Sequence, residues 1–326
     1  MPDQVRWGIL GAARIAAKAF LPAVAEAGGV AAAVAGRDEG RTTEWARANG
    51  VGRVLASYQQ LVADPQVDAI YVPLPNSLHA RWTIEALRAG KPVLCEKPLC
   101  ASVAETEQVL AVARQTGVLL WEAFVFPFHD QMSQLRGLLE AGIIGELQEI
   151  QSVYHFSLAR EGDIRLSADL AGGALNDVGC YPVMLARHLF GDEHDTARAA
   201  ADYAPSGVDQ GTWGWLGFPG GRRLLMSCGF RRAQDTFSRL AGTAGQINVT
   251  GPFHPTPADT FEVCLPGREP VVHRAAGRDQ YSFTAAIRHI QAAVAGREEP
   301  RYLAVDTSLG PARALADLAA SAAKPA

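Results

Sequence analysis

The sequence predicts an α/β domain with a parallel sheet, followed by an α+β domain built on a mostly antiparallel sheet. Three observations carry this. Up to about residue 123, short and near-continuously apolar runs alternate with helical segments, the pattern of strands buried on both faces. Beyond that point, strand-like runs follow one another between Gly and Pro, the pattern of hairpin-linked strands. The chain has 326 residues, more than one ordinary core accommodates. The boundary is placed between residues 122 and 123, with 123–326 forming the second domain and the last helix packing back at the junction.

The elements follow in order. Val5 to Leu10 is an apolar strand, and Ala13 to Ala27 a helix closed by Gly28 and Gly29. Val30 to Ala35 is a strand, and Glu39 to Asn49 a helix with Gly50 after its end. Strands at 67–72, 92–96 and 118–123 alternate with helices at 78–90 and 102–116. Ser102 and Glu105 have the spacing of a capping box. In the second part, a helix at about 130–141 precedes the long extended stretch "GELQEIQSVYHFSL", and another helix spans about 174–190. Strand-like runs at 212–218, 222–230, 235–242, 245–251 and 260–265 come next, then helices at about 281–296 and 305–322.

Bulk composition narrows the function classes. Hydrophobic residues make up 48% and charged residues 20%, and the net charge is −4 without a long basic run. This argues against nucleic acid or a membrane surface as the main partner. No apolar stretch reaches bilayer-spanning length, and "MPDQVRWGIL" lacks a signal peptide's basic start, so the expected location is the cytoplasm. The five cysteines form no C-x-x-C pair and read as scattered reduced thiols. The eight histidines show no metal-ligand spacing.

A glycine turn sits where a dinucleotide fingerprint has meaning. "WGILGAARIAAKAF" (7–20) links the first strand to the first helix with the spacing Gly11-x-Ala13-x-x-Ala16, so the first domain is read as a Rossmann domain. Gly11 permits the turn, and Ala13 stands where a glycine usually meets the pyrophosphate. Gly11, Ala13, Arg14 and Ile15 are the candidate cofactor contacts of this turn. The second strand ends in Gly36, where an NAD enzyme usually carries a carboxylate, and Arg37 and Arg41 follow. A small residue leaves room for a 2′-phosphate and the arginines offer forked donors, so NADP is the expected cofactor. Two other readings stay open: both arginines as solvated surface charge, or Asp38 turned back to the ribose.

Lys97 poses a separate question. In "CEKPLC" (95–100) an apolar strand delivers Glu96 and Lys97 to its end, and Pro98 stops them. Charge there is costly without partners or work. The carboxyl ends of parallel strands are where open α/β sheets bind ligands. "PLPNSLHA" (73–80) follows another strand in the same position, with Asn76 or Ser77 as the expected cap of the next helix.

These motifs occur together. "GILGAARIA", "YVPLPNSLHARWTIEALRAGKPVLCEKPL", "EAFVFPFH" and "GGALNDVGCY", in this order, resemble the Gfo/Idh/MocA oxidoreductases, and the similarity runs to "YSFTAAIRHIQAAVAGREEPRY". The resemblance implies a second domain with a large open sheet through which these proteins form homodimers or homotetramers. It is nearest to NADP-dependent aldose dehydrogenases, such as D-xylose 1-dehydrogenase, and to dimeric dihydrodiol dehydrogenases. It implies a sugar, polyol or diol as substrate, and it places Leu74, Asn76, His79, Glu96 and Lys97 along the cofactor. Pro127 stands where the family often has an arginine, so any contact made by that arginine is absent.

The resemblance also gives "GGALNDVGCYPVMLARHLF" a chemical reading. Asp177 and Tyr181 are four apart, on one helix face, unless Pro182 forces the helix to begin near Gly179 and leaves them on a turn. Gly172 and Gly173 are expected to let the backbone approach a ligand. Alcohol oxidation by hydride transfer needs a base and a donor for the developing oxyanion. Tyr181 is the candidate acid/base, Lys97 the group that tunes it, and Asp177 the group that orients the substrate hydroxyl or Lys97. Phe124 and Phe126 of "AFVFPF" are expected to wall the site. The activity implied is oxidation of an aldose at its anomeric carbon to a lactone. A trans-dihydrodiol dehydrogenase, a keto-sugar reductase and a non-catalytic NADP-binding sensor are the alternatives.

Overall fold

The computed structural model describes residues 4–158, 162–256, 258–275 and 281–323. The chain divides into two compact units, Met1–Phe124 with Phe283–Leu309, and Val125–Ser282 with Gly310–Ala326.

The first unit holds strands β1 (Arg6–Leu10), β2 (Val30–Ala35), β3 (Val54–Leu55), β4 (Ala69–Val72), β5 (Val93–Cys95) and β6 (Leu120–Glu122). All pairings are parallel, in the order β3-β2-β1-β4-β5-β6. This is the Rossmann order, with its switch point between β1 and β4. Helices α1 (Leu21–Glu26), α2 (Glu39–Ala48), α3 (Tyr58–Ala63), α4 (Asn76–Arg88) and α5 (Val103–Thr116) connect the strands. α1 is preceded by a π-helical turn over Ala16–Phe20. Ser102 caps α5, and Glu105 reaches back to the Ala101 N–H rather than to Ser102's own. β3 and α3 were not anticipated: two strand residues and a six-residue helix are too short to show a period.

The sequence assigns everything after residue 122 to the second domain, but 283–309 completes the first. α6 (Asp130–Glu140) and α7 (Cys180–Phe190) belong to the second unit, whereas nearly all of α8 (Ser282–Val294) and all of α9 (Ala304–Thr307) belong to the first. The reason is polar closure of a buried strand. The indole N–H of Trp7, on β1 and fully buried, donates to Gln291 Oε1 at 3.1 Å. Gln291 Nε2 donates to the Ala27 carbonyl, and Thr284 Oγ1 to Glu26. Ala304 fills the core beside Leu110 and Leu120. The last helix, α10 (Leu309–Ala322), joins the second unit instead; Asp317 meets His194 and Ser321 accepts from the Ala199 N–H.

The second unit is built on an eight-stranded sheet of β7 (Leu147–Ser157), β8 (Thr196–Tyr203), β9 (Asp209–Gly217), β10 (Arg223–Gly229), β11 (Arg231–Gly242), β12 (Gln246–Val249), β13 (Thr260–Cys264) and β14 (Val271–Arg274). The order is β14-β13-β12-β11-β7-β10-β9-β8, and only β7–β10 is parallel. β8 and β14 went unpredicted because their edge positions leave them polar or exposed, without a buried face to mark them. One face of the sheet is core: Leu216, Leu224, Ile150, Leu240, Ile247 and Val263 align across six strands and are all buried. The opposite face carries exposed Trp213, Trp215, Leu225 and Phe237, of which Trp215 and Leu225 are directly paired.

Candidate active site

In the first unit, the carboxyl ends of β1, β2, β4 and β5 converge on the switch point. Gly11 adopts φ 102°, which a residue with a Cβ rarely takes, and a Cβ there would stand 3.1 Å from Leu74. The turn is closed by Gly11 N–H to the Ala35 carbonyl at 2.7 Å and by Ala13 N–H to Gly11 at 2.9 Å. Arg14 and Ile15 are exposed on its outer side, and Ala13 is half-buried. Tyr58 Oη borders the turn, and the Arg37 charge acts on that phenol. A glycine turn opening a helix at the switch point fits the pyrophosphate of a dinucleotide.

At the end of β2, Arg37 and Arg41 are exposed. Asp38 accepts from the Arg41 N–H at 2.8 Å as the N-cap of α2, so its carboxylate is turned into its own helix. Gly36 serves packing as well: a Cβ there would overlap Thr42 Oγ1.

The turn carrying Lys97 is held from three sides. Glu96 accepts from Tyr71 Oη at 2.5 Å, and the buried Tyr71 ring stacks on Phe20. Glu122 Oε1, at the end of β6, accepts from the Leu99 N–H at 2.8 Å. His79 spans two loops, with Nδ1 2.9 Å from the Pro98 carbonyl and Nε2 2.7 Å from the Leu74 carbonyl. Its exposure is 0%, and its ring braces these two loops against each other. Burial holds His79 below the ordinary imidazole range, against the pull of both carbonyls. The cap of α4 falls on Pro75 without a side-chain bond, so neither Asn76 nor Ser77 serves as one; Asn76 is instead the first helical residue and half-buried.

Glu122 was not anticipated, although the reasoning applied to Lys97, charge at the end of an apolar strand, also identifies it. Burial pushes its carboxyl up to about 7, with Ser308, the Leu99 N–H and the Lys97 charge pulling the other way. An unfolded chain releases this proton near pH 4.5. Between those values the folded state alone retains it, so stability falls as pH rises through the window, by roughly 3 kcal/mol in all. Glu122→Gln keeps an acceptor for Leu99 and removes the titration. Its melting temperature relative to the parent is expected to climb from pH 5 to pH 8; a pH-independent difference would show that Glu122 is ionised in the folded protein.

In the second unit, a π-helical turn over Leu175–Gly179 leads directly into α7. Asp177 and Tyr181 therefore lie on one helical run. Pro182 is accommodated because the wide turn relieves the clash its ring makes with the carbonyl four residues back. Gly172 and Gly173 approach the protein itself rather than a ligand: Cβ atoms there would overlap the Arg165 carbonyl and Asp209 Oδ1. Asp209 also accepts from the Leu175 N–H at 2.7 Å, fixing the start of the run.

Asp177 accepts from Arg165 Nε at 2.6 Å, and Arg165 also pairs with Asp163. No sequence signal marks Arg165, which lies twelve residues upstream in a short 3-10 turn, Ile164–Leu166. Tyr181 is 5% exposed and packs against Tyr154 and Phe253 at centroid distances of 5.3 and 5.1 Å. Its hydroxyl lies 3.1 Å from His254 Nε2. Phe126, expected as a wall of the site, is buried behind Phe253 at 5.7 Å and supports it; Phe124, in the first unit, is buried as well. Pro127 lies in a short 3-10 turn with Phe126 and Phe128.

Residues 5–124 match the model of the oxidoreductase family with an NAD-binding Rossmann fold, GFO_IDH_MocA, and residues 132–248 match the GFO/IDH/MocA C-terminal domain. The NADP(+)-dependent D-xylose 1-dehydrogenase 2 of Haloferax volcanii is 37% identical over 258 residues, covering 79% of each chain. The chain belongs to the Gfo/Idh/MocA oxidoreductase family. Another family member, the dTDP-3,4-didehydro-2,6-dideoxy-α-D-glucose 3-reductase of Actinomadura kijaniata, is 34% identical over 315 residues, covering 94% of this chain and 92% of its own. Among solved structures, the 3-ketoreductase KijD10 from the same organism, in complex with NADP and TDP-benzene, superposes with a TM-score of 0.90 at 31% identity, over 98% of each chain. Like other Gfo/Idh/MocA proteins, this chain is an enzyme that interconverts CH–OH and carbonyl groups. No described helix is long and apolar enough to cross a membrane.

Proposed function

We propose that this enzyme transfers hydride between NADP(H) and a sugar or related polyol, oxidising an aldose at its anomeric carbon to a lactone. The observation that carries the reading is Lys97, delivered to the carboxyl end of β5 and braced there by Glu96, Glu122 and His79. When bound, the nicotinamide supplies the hydride acceptor. Gly11, Ala13, Arg14 and Ile15 form its phosphate turn, with Leu74 and Asn76 on the adjoining loop. Tyr181 takes the hydroxyl proton, and Lys97 supplies positive charge for the developing alkoxide and favours the phenolate. Asp177 positions the substrate together with Arg165. NADP is favoured over NAD because Asp38 is committed to its helix cap, leaving Arg37 and Arg41 as the charged groups at the ribose end.

The ketoreductase similarity favours a second reading, reduction of a keto-sugar by the same residues in reverse. One experiment separates the two. Purified enzyme is assayed by nicotinamide absorbance with NADP+ or NAD+ against aldoses, polyols and dihydrodiols, and with NADPH against keto-sugars. Turnover of an aldose with a clear preference for NADP+ supports the first reading, activity confined to keto-sugars the second, and preference for NAD+ removes the cofactor assignment.

The exposed face bearing Trp213, Trp215, Leu225 and Phe237 is assigned to a second copy of this chain, giving a homodimer or a homotetramer. Trp215→Arg places charge beside Leu225 and is expected to lower the sedimentation coefficient to that of a monomer; an unchanged value rules this face out. The five cysteines form no disulfide among the described residues, which suits a cytoplasmic setting.

A further inference from the structure

Tyr181 faces a residue that the reaction so far leaves without work. We propose that His254 is the proton exit of the active site, relaying the proton that Tyr181 takes from the substrate hydroxyl to bulk water. This rests on the acid/base assignment of Tyr181.

The imidazole Nε2 stands 3.1 Å from Tyr181 Oη, within hydrogen-bond reach, with the two rings edge to face at 5.3 Å. The two residues differ in their access to water. Tyr181 is almost wholly buried, whereas His254 is exposed. A base that must give up its proton once per turnover gains from a partner that reaches solvent. The segment bearing His254 is built for a fixed position. Phe253 is fully buried and stacks on Tyr154, and Pro252 and Pro255 on either side are buried. The Gly251 carbonyl accepts from Gln131 Nε2 at 2.9 Å, and Asp259 accepts from both the N–H and the hydroxyl of Thr256 at 2.7 Å. The imidazole is thus held by packing before it and by the Thr256–Asp259 bonds after it.

The proton balance is complete. In the oxidative direction the substrate carbon gives up a hydride to the oxidised nicotinamide, and the substrate O–H bond breaks as a Tyr181 O–H bond forms. The Tyr181 phenol then donates to His254 Nε2 while Nδ1–H is released to water, restoring the phenolate and leaving a neutral ring. Return to the starting tautomer is a proton exchange with solvent at the exposed ring. Reduction runs the same steps backwards.

The test uses His254→Ala, His254→Gln and Tyr181→Phe in the full-length enzyme. Both His254 variants are expected to lose about ten- to a hundredfold in kcat, in either direction, with NADPH affinity unchanged. Added imidazole is expected to restore turnover in His254→Ala in proportion to its concentration and to leave the parent enzyme unaffected. A purely structural role would not produce that response. Independently of turnover, the His254 side-chain ¹⁵N resonances of the parent, assigned by their loss in His254→Gln, are expected to move in Tyr181→Phe. Parent-like kcat in both His254 variants, a loss that imidazole does not rescue, or unmoved resonances would each overturn the relay. If Tyr181→Phe itself turns over normally, the acid/base assignment falls and takes the relay with it. An inactive Tyr181→Phe beside fully active His254 variants removes the relay alone.

Discussion

Tyr181→Phe is expected to lower kcat by two to four orders of magnitude while leaving NADPH binding and the fold intact. The substitution removes one oxygen atom and no ring. The packing against Tyr154 and Phe253 is retained, so the lost bond to His254 costs only about 1 kcal/mol of stability. A fall in activity of this size with a melting temperature lowered by only a few degrees therefore reports chemistry. Steady-state kinetics and a thermal melt on the same preparation provide the check; near-normal kcat would remove Tyr181 from the mechanism.

Lys97→Met is expected to cost roughly a hundred- to a thousandfold in kcat/KM, the scale of removing a preorganised charge from a developing oxyanion. The surrounding turn makes this a clean experiment. The backbone is held at Pro98 by His79 and at Leu99 by Glu122, and neither bond uses the lysine side chain. Replacing the ammonium by a thioether of similar length leaves those anchors in place. Lys97→Arg is expected to recover little, because a planar fork does not deliver the point charge of an ammonium. Single-turnover measurements at saturating cofactor separate this loss from weaker NADP(H) binding. Full activity in Lys97→Met would mean that the charge at the end of β5 serves structure alone.

Much of the molecule could be read from its sequence wherever one periodicity or one costly placement dominated. The parallel sheet was legible because its strands are buried on both faces, and Gly11 because only a glycine turn fits between that strand and that helix. Lys97 stood out for the desolvation it would otherwise suffer. What stayed hidden depends on pairs distant in the chain. Arg165 meets Asp177 across a loop, His254 reaches Tyr181 from 73 residues away, and Gln291 answers Trp7 from 284 residues away. None of these carries a local signal. Phe126 and His79 pose the opposite difficulty. Their motif is distinctive, but their side chains are buried as supports, and a motif alone does not separate a residue that touches a ligand from one that holds such a residue in place.

The bond between Trp7 and Gln291 also bears on how the protein is made. The nucleotide-binding unit is interrupted: its first 124 residues leave the ribosome long before Gln291 and Ala304 do. At bacterial or eukaryotic elongation rates the interval is about 10 to 35 s, far longer than a small domain needs to collapse. Until those two residues emerge, the Trp7 indole N–H has no Gln291 to donate to, and the core lacks Ala304. The unit that begins the chain is among the last to be completed, and a gene fragment ending at residue 124 encodes its sheet without the residues that seal it.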